Sequence, residues 1–561
     1  MFSSFHDYRP RHFWLAATII YLAFAIFSIN KPLTLDQADP AATNAAAIAT
    51  YGWDALGDSR AHSAIHGPLM YEIAHPPLHQ HLVALSFQLF GESTVAARAV
   101  GLLCFPGVLF MIMILSLELY PKPKGVMVGA IAVLLYAINP FAVQRSLLVS
   151  EETTLVPLTL LLFIYYLYRT DFHITFRSLL ILSALFALSL WAKEFPPFFL
   201  LAALLPFLWL YRGVRQAFTS TGAIVLFGIL WFGVSWGLYC TLTGVPLLSF
   251  IEFSVINKLF EPSFHEGSSL LRIGYSFAKK TFYVTPALTV LLVLAAIRRV
   301  QLFSKKIRRL EPTDYLWIYV GIYLTVTHVH FLPPRYQYPV FSVAVILMGE
   351  YVFDVLKGVS KKQLTIALVV GLVVAIGCAA VLADPHRLRV REYVVMWTLA
   401  PVLACCVLVM LAGISVRSRG FLGVAGVSFI VATNVGIAIQ QTRPYTTAPS
   451  WGEYGEEGFG ETLEYLRASV GQSVPVIRKD LAYYLRIGQP DRKYIYNSIF
   501  RENSEISRRE IERILLREDV SVVVLDRFAS AENVSDILYR YYVSVRKYGD
   551  FEVFRKRERN R

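Results

Sequence analysis

The chain has 561 residues, of which 55% are hydrophobic, 14% aromatic and only 17% charged, and its mean hydropathy is +0.50. A water-soluble protein of this length would have to leave much of that apolar surface on its exterior, so the composition excludes a soluble globule, a disordered chain, a collagen and a secreted disulfide scaffold. The net charge of +13 is unevenly placed: residues 443–561 hold 21 Lys+Arg and 19 Asp+Glu, against 32 and 21 in residues 1–442. An oily body therefore precedes a tail with the charge density of a soluble domain. The basic balance reports orientation in a membrane and not a nucleic-acid partner.

In chain order, Arg9 and Arg11 precede an apolar run from Phe13 to Ile29. The run is long for a signal peptide and no small-x-small site precedes Asn30, so an uncleaved first transmembrane helix is expected. Further apolar stretches of the length that crosses a hydrocarbon core of about 30 Å follow. The predicted spans are 13–29, 97–118, 125–143, 153–169, 177–192, 196–211, 222–243, 281–297, 313–331, 336–356, 363–383, 394–414 and 421–440. With residues 1–12 in the cytoplasm, every second loop is basic, as the positive-inside rule requires. Lys122 and Lys124, Arg169 and Arg177, Arg212 and Arg215, the cluster Arg298–Arg309, Lys357 to Lys362, and Arg417 and Arg419 all fall on that side, and only Arg387, Arg389 and Arg391 run against it. All five cysteines (Cys104, Cys240, Cys378, Cys405 and Cys406) lie inside apolar runs and read as small hydrophobes.

Residues 78–90 are short and carry His79, Gln80, His81 and Gln88, which fits a helix lying in the outer interface better than a crossing. Residues 31–96 then form one long outer loop, and loops of that length are usually functional. Thirteen crossings place the tail outside. In the tail, Val474–Arg478, Tyr494–Tyr496, Val520–Leu525 and Phe551–Phe554 read as strands, and 459–470, 504–518 and 532–547 as helices. The expected architecture is an all-α polytopic membrane protein of about 13 transmembrane helices over residues 1–442, with a small C-terminal α/β domain over 443–561 outside the cytoplasm.

The polar residues of the body collect at the outer helix ends. Asp36 and Asp39 follow the first helix; Glu72, His75, Pro76 and Pro77 precede the interfacial helix; Arg145, Glu151 and Glu152 sit in the loop after the third; Lys193 and Glu194 form the next outer turn; and His330, Arg335 and Tyr336 precede Pro339. Ionisable groups at membrane depth are costly, so their gathering on one face indicates a site. A carboxylate there can take a proton from an acceptor hydroxyl or amine, and Lys and Arg can hold a phosphate leaving group.

In this pattern the chain resembles the GT-C glycosyltransferases that use polyprenyl-phosphate sugars, in particular the branch of protein O-mannosyltransferases and the aminoarabinose transferase of lipid A. The resemblance covers about residues 10–350. It rests on Asp36 after the first helix, His75-Pro76-Pro77-Leu78, Gly91-Glu92-Ser93 with Arg98, Asn139-Pro140 followed by Glu151-Glu152, Lys193, and Arg335-Tyr336 with Pro339. It implies an inverting transfer onto an acceptor outside the cytoplasm with Asp36 as base, Glu151 or Glu152 assisting the acceptor, and His75, Lys193, Arg335 and Tyr336 binding substrate. The implied partners are a polyprenyl-phosphate sugar donor, membrane lipids and an acceptor that is a lipid, a glycan or a protein, in a bacterial plasma membrane. Gln37 stands where the family usually has Glu, and His75 where Lys is common.

Simpler roles compete at each position. Asp39 before Pro40 suits a helix cap; Glu151 and Glu152 suit the start of a helix; Arg98 suits a headgroup anchor. Glu72, His75, His79 and His81 suggest a divalent metal, but two prolines interrupt them and no third ligand is set by spacing, so a polar interfacial face is the better reading and no metal or cofactor is assigned. Asn533-Val-Ser535 is a glycosylation sequon of a kind that arises often by chance. The alternative function is a polytopic transporter or a flippase for lipid-linked sugars, for which duplicated halves and midplane polar residues would be expected. A third is a non-catalytic binder of a lipid-linked sugar.

Overall fold

A computed structural model describes residues 9–26, 41–55, 75–248, 285–304, 310–330, 334–357, 458–471, 473–487, 494–496, 507–526 and 535–557, with the single positions 29, 33, 273, 274, 276, 277 and 500 between them. The predicted spans 363–383, 394–414 and 421–440 lie outside these residues, as do Asp36, Gln37, Asp39 and Glu72. The chain divides into two compact units. One comprises Met1–Ile29, Val100–Trp236 and Val255–Arg443; the other comprises Asn30–Ala99, Gly237–Ser254 and Pro444–Arg561.

The helices in order are α1 (Pro10–Ala25), α2 (Thr43–Tyr51), α3 (Leu78–Phe90), α4 (Thr94–Leu119), α5 (Lys124–Ala137), α6 (Pro140–Ser146), α7 (Leu155–Arg169), α8 (Phe176–Ala192), α9 (Pro196–Arg212), α10 (Val214–Thr243), α11 (Pro286–Ser304), α12 (Thr313–Val329) and α13 (Tyr338–Lys357). Among the described residues, α4, α10 and α13 are long and apolar enough to cross a membrane on length and composition.

In the first unit α13 packs on α5, α11, α12 and α7, and α1 packs on α5. The buried face of α1 is Ala17, Tyr21 and Ala25, spaced every four residues, which is the helical period that puts side chains on one stripe. Tyr21 stacks on Phe105 with ring centroids 3.9 Å apart. Glycine sets the separation of the helices: a Cβ at Gly349 would stand 2.8 Å from the Val128 carbonyl oxygen, so α13 and α5 approach through a position only glycine fits. The stretch 125–143, expected to be one span, is broken in two. Pro140 has no N–H to continue a helix and disfavours helical backbone at the residue before it. Asn139 is accordingly extended at φ −73° and ψ 115°, and its side chain accepts from the Phe141 N–H at 3.2 Å to cap α6.

In the second unit α2 packs against α3. The C-terminal part contains α14 (Phe459–Ser469), β1 (Val474–Ile477), α15 (Lys479–Arg486), β2 (Ile495–Tyr496), α16 (Arg508–Leu515), β3 (Val520–Asp526), α17 (Ser535–Tyr541), β4 (Tyr542–Tyr548) and β5 (Phe551–Lys556). The sheet order is β2-β1-β3-β5-β4, with β1 parallel to β2 and β3 and with β5 antiparallel to β3 and β4. The core is aliphatic: Val476, Ile495, Leu515, Val520 and Val523 are all buried between sheet and helices.

Two features of this part correct the sequence reading. The helix expected over 532–547 ends at Tyr541, and residues 542–548 form β4. The turn at Gly549, at φ 52°, returns the chain so that Tyr542–Tyr548 pairs with β5. The β-branched Val543 and Val545 fit that pleated edge. An unpredicted helix, α15, covers 479–486.

Candidate functional site

The described site residues of the first unit converge on two short 3-10 turns, Glu151–Thr153 and Pro334–Gln337, which pack against one another. The first turn follows Ser150, whose carbonyl oxygen accepts from Thr154 Oγ1 at 2.9 Å and from Thr153 Oγ1 at 3.2 Å. Two hydroxyls on one carbonyl hold the turn open ahead of α7. Its backing is α4: a Cβ at Gly101 would collide with the Ser146 carbonyl oxygen and lie 3.4 Å from Thr154 Cγ2. Glycine at 101 therefore lets α4 pass directly beneath the segment that carries Glu151.

Lys193 occupies the residue after α8. Its backbone N–H still bonds the Ser189 carbonyl at 2.9 Å, but its own φ of −167° and ψ of 137° leave the helix. Pro196 then opens α9. The side chain is carried inward and is 1% exposed. Its Nζ donates to Glu151 Oε1 at 2.7 Å and stands 5.7 Å from the centre of the Tyr336 ring. Charges this deeply buried require a partner, because the ammonium and the carboxylate each lose their hydration. The pair and the ring thus form a cationic group held by one carboxylate and one aromatic face. Arg145 on α6 is also buried, with its guanidinium 5.3 Å from the Phe141 ring.

The structure thus brings Glu151, Lys193 and Tyr336 together. Arg335 and Glu152 lie on the same two turns by backbone position, and their side chains fall outside the described residues, as does Asp36. His75, in the second unit, is half-buried in the turn before α3. His79 is buried, and His81 meets Tyr239 Oη at 3.0 Å. Burial lowers the His81 imidazole below its ordinary pKa. Among the described residues no three His, Cys, Asp or Glu side chains converge in a way that could hold a metal ion.

Two buried groups lie beyond the sequence-based site. Arg98, read as a headgroup anchor, is 1% exposed inside the second unit. Tyr484 of the tail reaches Leu33 and Thr94. Arg98 stands in the Gly91-Glu92-Ser93 motif, whereas no local signal marks Tyr484, whose partners Leu33 and Thr94 are distant in the chain.

The sequence model of the dolichyl-phosphate-mannose-protein mannosyltransferase family matches residues 74–239. No curated protein matches the chain by sequence. Among solved structures, the fold is similar to that of ArnT from Cupriavidus metallidurans bound to undecaprenyl phosphate, at 13% identity and a TM-score of 0.55 over 96% of this chain and 97% of that one. It is also similar to the oligosaccharyltransferase of Archaeoglobus fulgidus in its apo form, at 13% identity and a TM-score of 0.52 over 99% of this chain and 75% of that one. The chain therefore has the GT-C glycosyltransferase fold, the fold of a class of multi-pass membrane enzymes. Its matched segment, 74–239, contains Glu151 and Lys193.

Proposed function

We propose that the protein transfers a sugar from a polyprenyl-phosphate donor to an acceptor hydroxyl or amine on the extracytoplasmic side of a bacterial plasma membrane, with inversion at the transferred carbon. The observation that carries this reading is the buried Lys193 ammonium, held 2.7 Å from Glu151 beside Tyr336 on the turn that also bears Arg335. A lysine fixed in that way, with an arginine next to its aromatic neighbour, suits the phosphate of a lipid-linked donor and the negative charge that grows on it as the glycosidic bond breaks.

In the proposed step the acceptor oxygen or nitrogen attacks the anomeric carbon from the face opposite the phosphate. The carbon–oxygen bond to phosphate breaks, the polyprenyl phosphate leaves with the electron pair, and Asp36 takes the acceptor proton. Glu151 acts through Lys193, whose charge and position it holds; Glu152 is then the carboxylate of that pair assigned to the acceptor. His75 contributes a hydrogen bond to the donor head group. Residues 1–442 form the catalytic domain in this reading, and residues 443–561 a domain outside the cytoplasm.

The test is turnover of a polyprenyl-phosphate sugar by the purified full chain with an acceptor extract from its host membrane. Asp36→Asn is expected to abolish release of polyprenyl phosphate while expression is retained. Lys193→Ala and Arg335→Ala are expected to raise the donor KM. Wild-type turnover in Asp36→Asn removes the base assignment, and translocation of an intact donor lipid without sugar transfer replaces the enzyme reading with a flippase.

A further inference from the structure

We propose that Tyr484, in the C-terminal domain, is a positioning residue for the acidic segment behind α1. Its hydroxyl ties Leu33 and Thr94 into one hydrogen-bonded junction. This inference rests on the reading of Asp36 as the base.

The junction is built from residues remote in the chain. Tyr484 lies on α15, and its ring is fixed inside the tail by edge contacts with Phe459 and Tyr483, at centroid distances of 5.7 and 5.2 Å. Its own carbonyl accepts from Arg467 Nη2 of α14 at 3.4 Å. From that anchored ring the hydroxyl reaches outward. It accepts the Leu33 backbone N–H at 2.7 Å and meets Thr94 Oγ1 at 3.0 Å. A phenol has one donor and free lone pairs, so it can serve both partners at once by accepting from the amide and donating to the threonine. Leu33 is wholly buried, and a buried amide without a partner is costly. The bond therefore fixes the main chain at residue 33.

The neighbouring tyrosine lies beside the same segment. Tyr483 is buried, and its hydroxyl has no hydrogen-bond partner among the described residues. Its phenol feels burial first and then the charges of Glu92 and Arg98, which flank Thr94 in sequence. The hydrogen bonds to Leu33 and to Thr94 at the start of α4 are made by Tyr484.

The functional consequence follows from covalent geometry. Asp36 lies three residues beyond Leu33, and three residues of extended chain span at most about 11 Å. Holding the backbone at 33 anchors the proposed base to a fixed point at one end of that span, and rate depends steeply on such placement. In this reading the tail sets the register of the catalytic loop.

The decisive variant is Tyr484→Phe in the full chain, which keeps the ring and removes only the hydroxyl. It is expected to lower kcat about tenfold with an unchanged donor KM, and to speed hydrogen exchange at the Leu33 amide. Thr94→Val, which leaves the ring and the Leu33 bond in place, is expected to give a smaller loss of kcat in the same direction, and it carries the test if Tyr484→Phe does not fold. Wild-type kcat with unchanged exchange at residue 33 in the folded variant overturns the proposal. So does a change confined to the unfolding midpoint, which is what a merely structural contact produces. Asp36→Asn assayed in parallel separates the two ideas. If it retains turnover, the base assignment falls, whereas faster exchange at Leu33 together with reduced kcat in Tyr484→Phe still establishes the tie.

Discussion

Lys193 Nζ lies 2.7 Å from Glu151 Oε1, with the lysine side chain 1% exposed and the glutamate side chain 9% exposed. The two residues are 42 positions apart and stand on different elements, one past the end of α8 and one in the turn before α7. Each places an opposite charge beside the other in the interior.

Breaking a buried ion pair by replacing one member costs about 3–5 kcal/mol. Lys193→Met is therefore expected to lower the unfolding midpoint in detergent as well as to raise the donor KM. The double variant Lys193→Met/Glu151→Leu is expected to regain much of the stability without regaining donor affinity. Thermal unfolding beside donor kinetics separates the two effects, and a double variant as unstable as the single one would contradict the pairing.

Gly101 is the second test of the same turn. A Cβ there meets the Ser146 carbonyl oxygen, a backbone atom that cannot rotate away. Gly101→Ala is expected to destabilise the protein by about 1–3 kcal/mol, the range for overpacking a close-packed interior, and to reduce donor use through displacement of Glu151. Unchanged stability would show that α4 can shift at no cost.

Asn139 caps α6 through its bond to the Phe141 N–H. Asn139→Ala is expected to cost about 0.5–2 kcal/mol, as for other caps of this kind, and Asn139→Asp to retain most of the stability. Chemical denaturation of the purified variants measures both.

His81 supplies a pH dependence. Its pKa is lowered by burial in the fold, whereas an unfolded imidazole titrates near 6.5. Between the folded and unfolded values the unfolded chain binds more protons, so stability is fully present above about pH 6.5 and declines as the pH falls below it. The His81→Gln variant is expected to lose that decline between about pH 6.5 and 5. An identical stability profile in wild type and variant over that range would remove His81 as its source.

Much of this protein is legible from the chain alone. Apolar runs, the alternation of basic loops and the polar residues at helix ends are local or periodic signals, set by transfer of side chains between water and hydrocarbon. The break at Asn139-Pro140 is equally local, because a missing N–H acts on its own turn. The GT-C architecture is expected from the resemblance to that family, and Glu151, Lys193 and Tyr336 are each singled out in the chain, but their mutual contacts are not. Tertiary structure alone decided that Lys193 meets Glu151, that Gly101 underlies their turn, that residues 542–548 pair with β5 as a strand, and that Tyr484 reaches Leu33 across 451 positions of sequence. The physical reason is common to all four. Helical and strand periods encode which way a side chain faces, whereas its partner is selected by packing and by the need to satisfy buried charge and hydrogen bonds between segments that no local pattern relates.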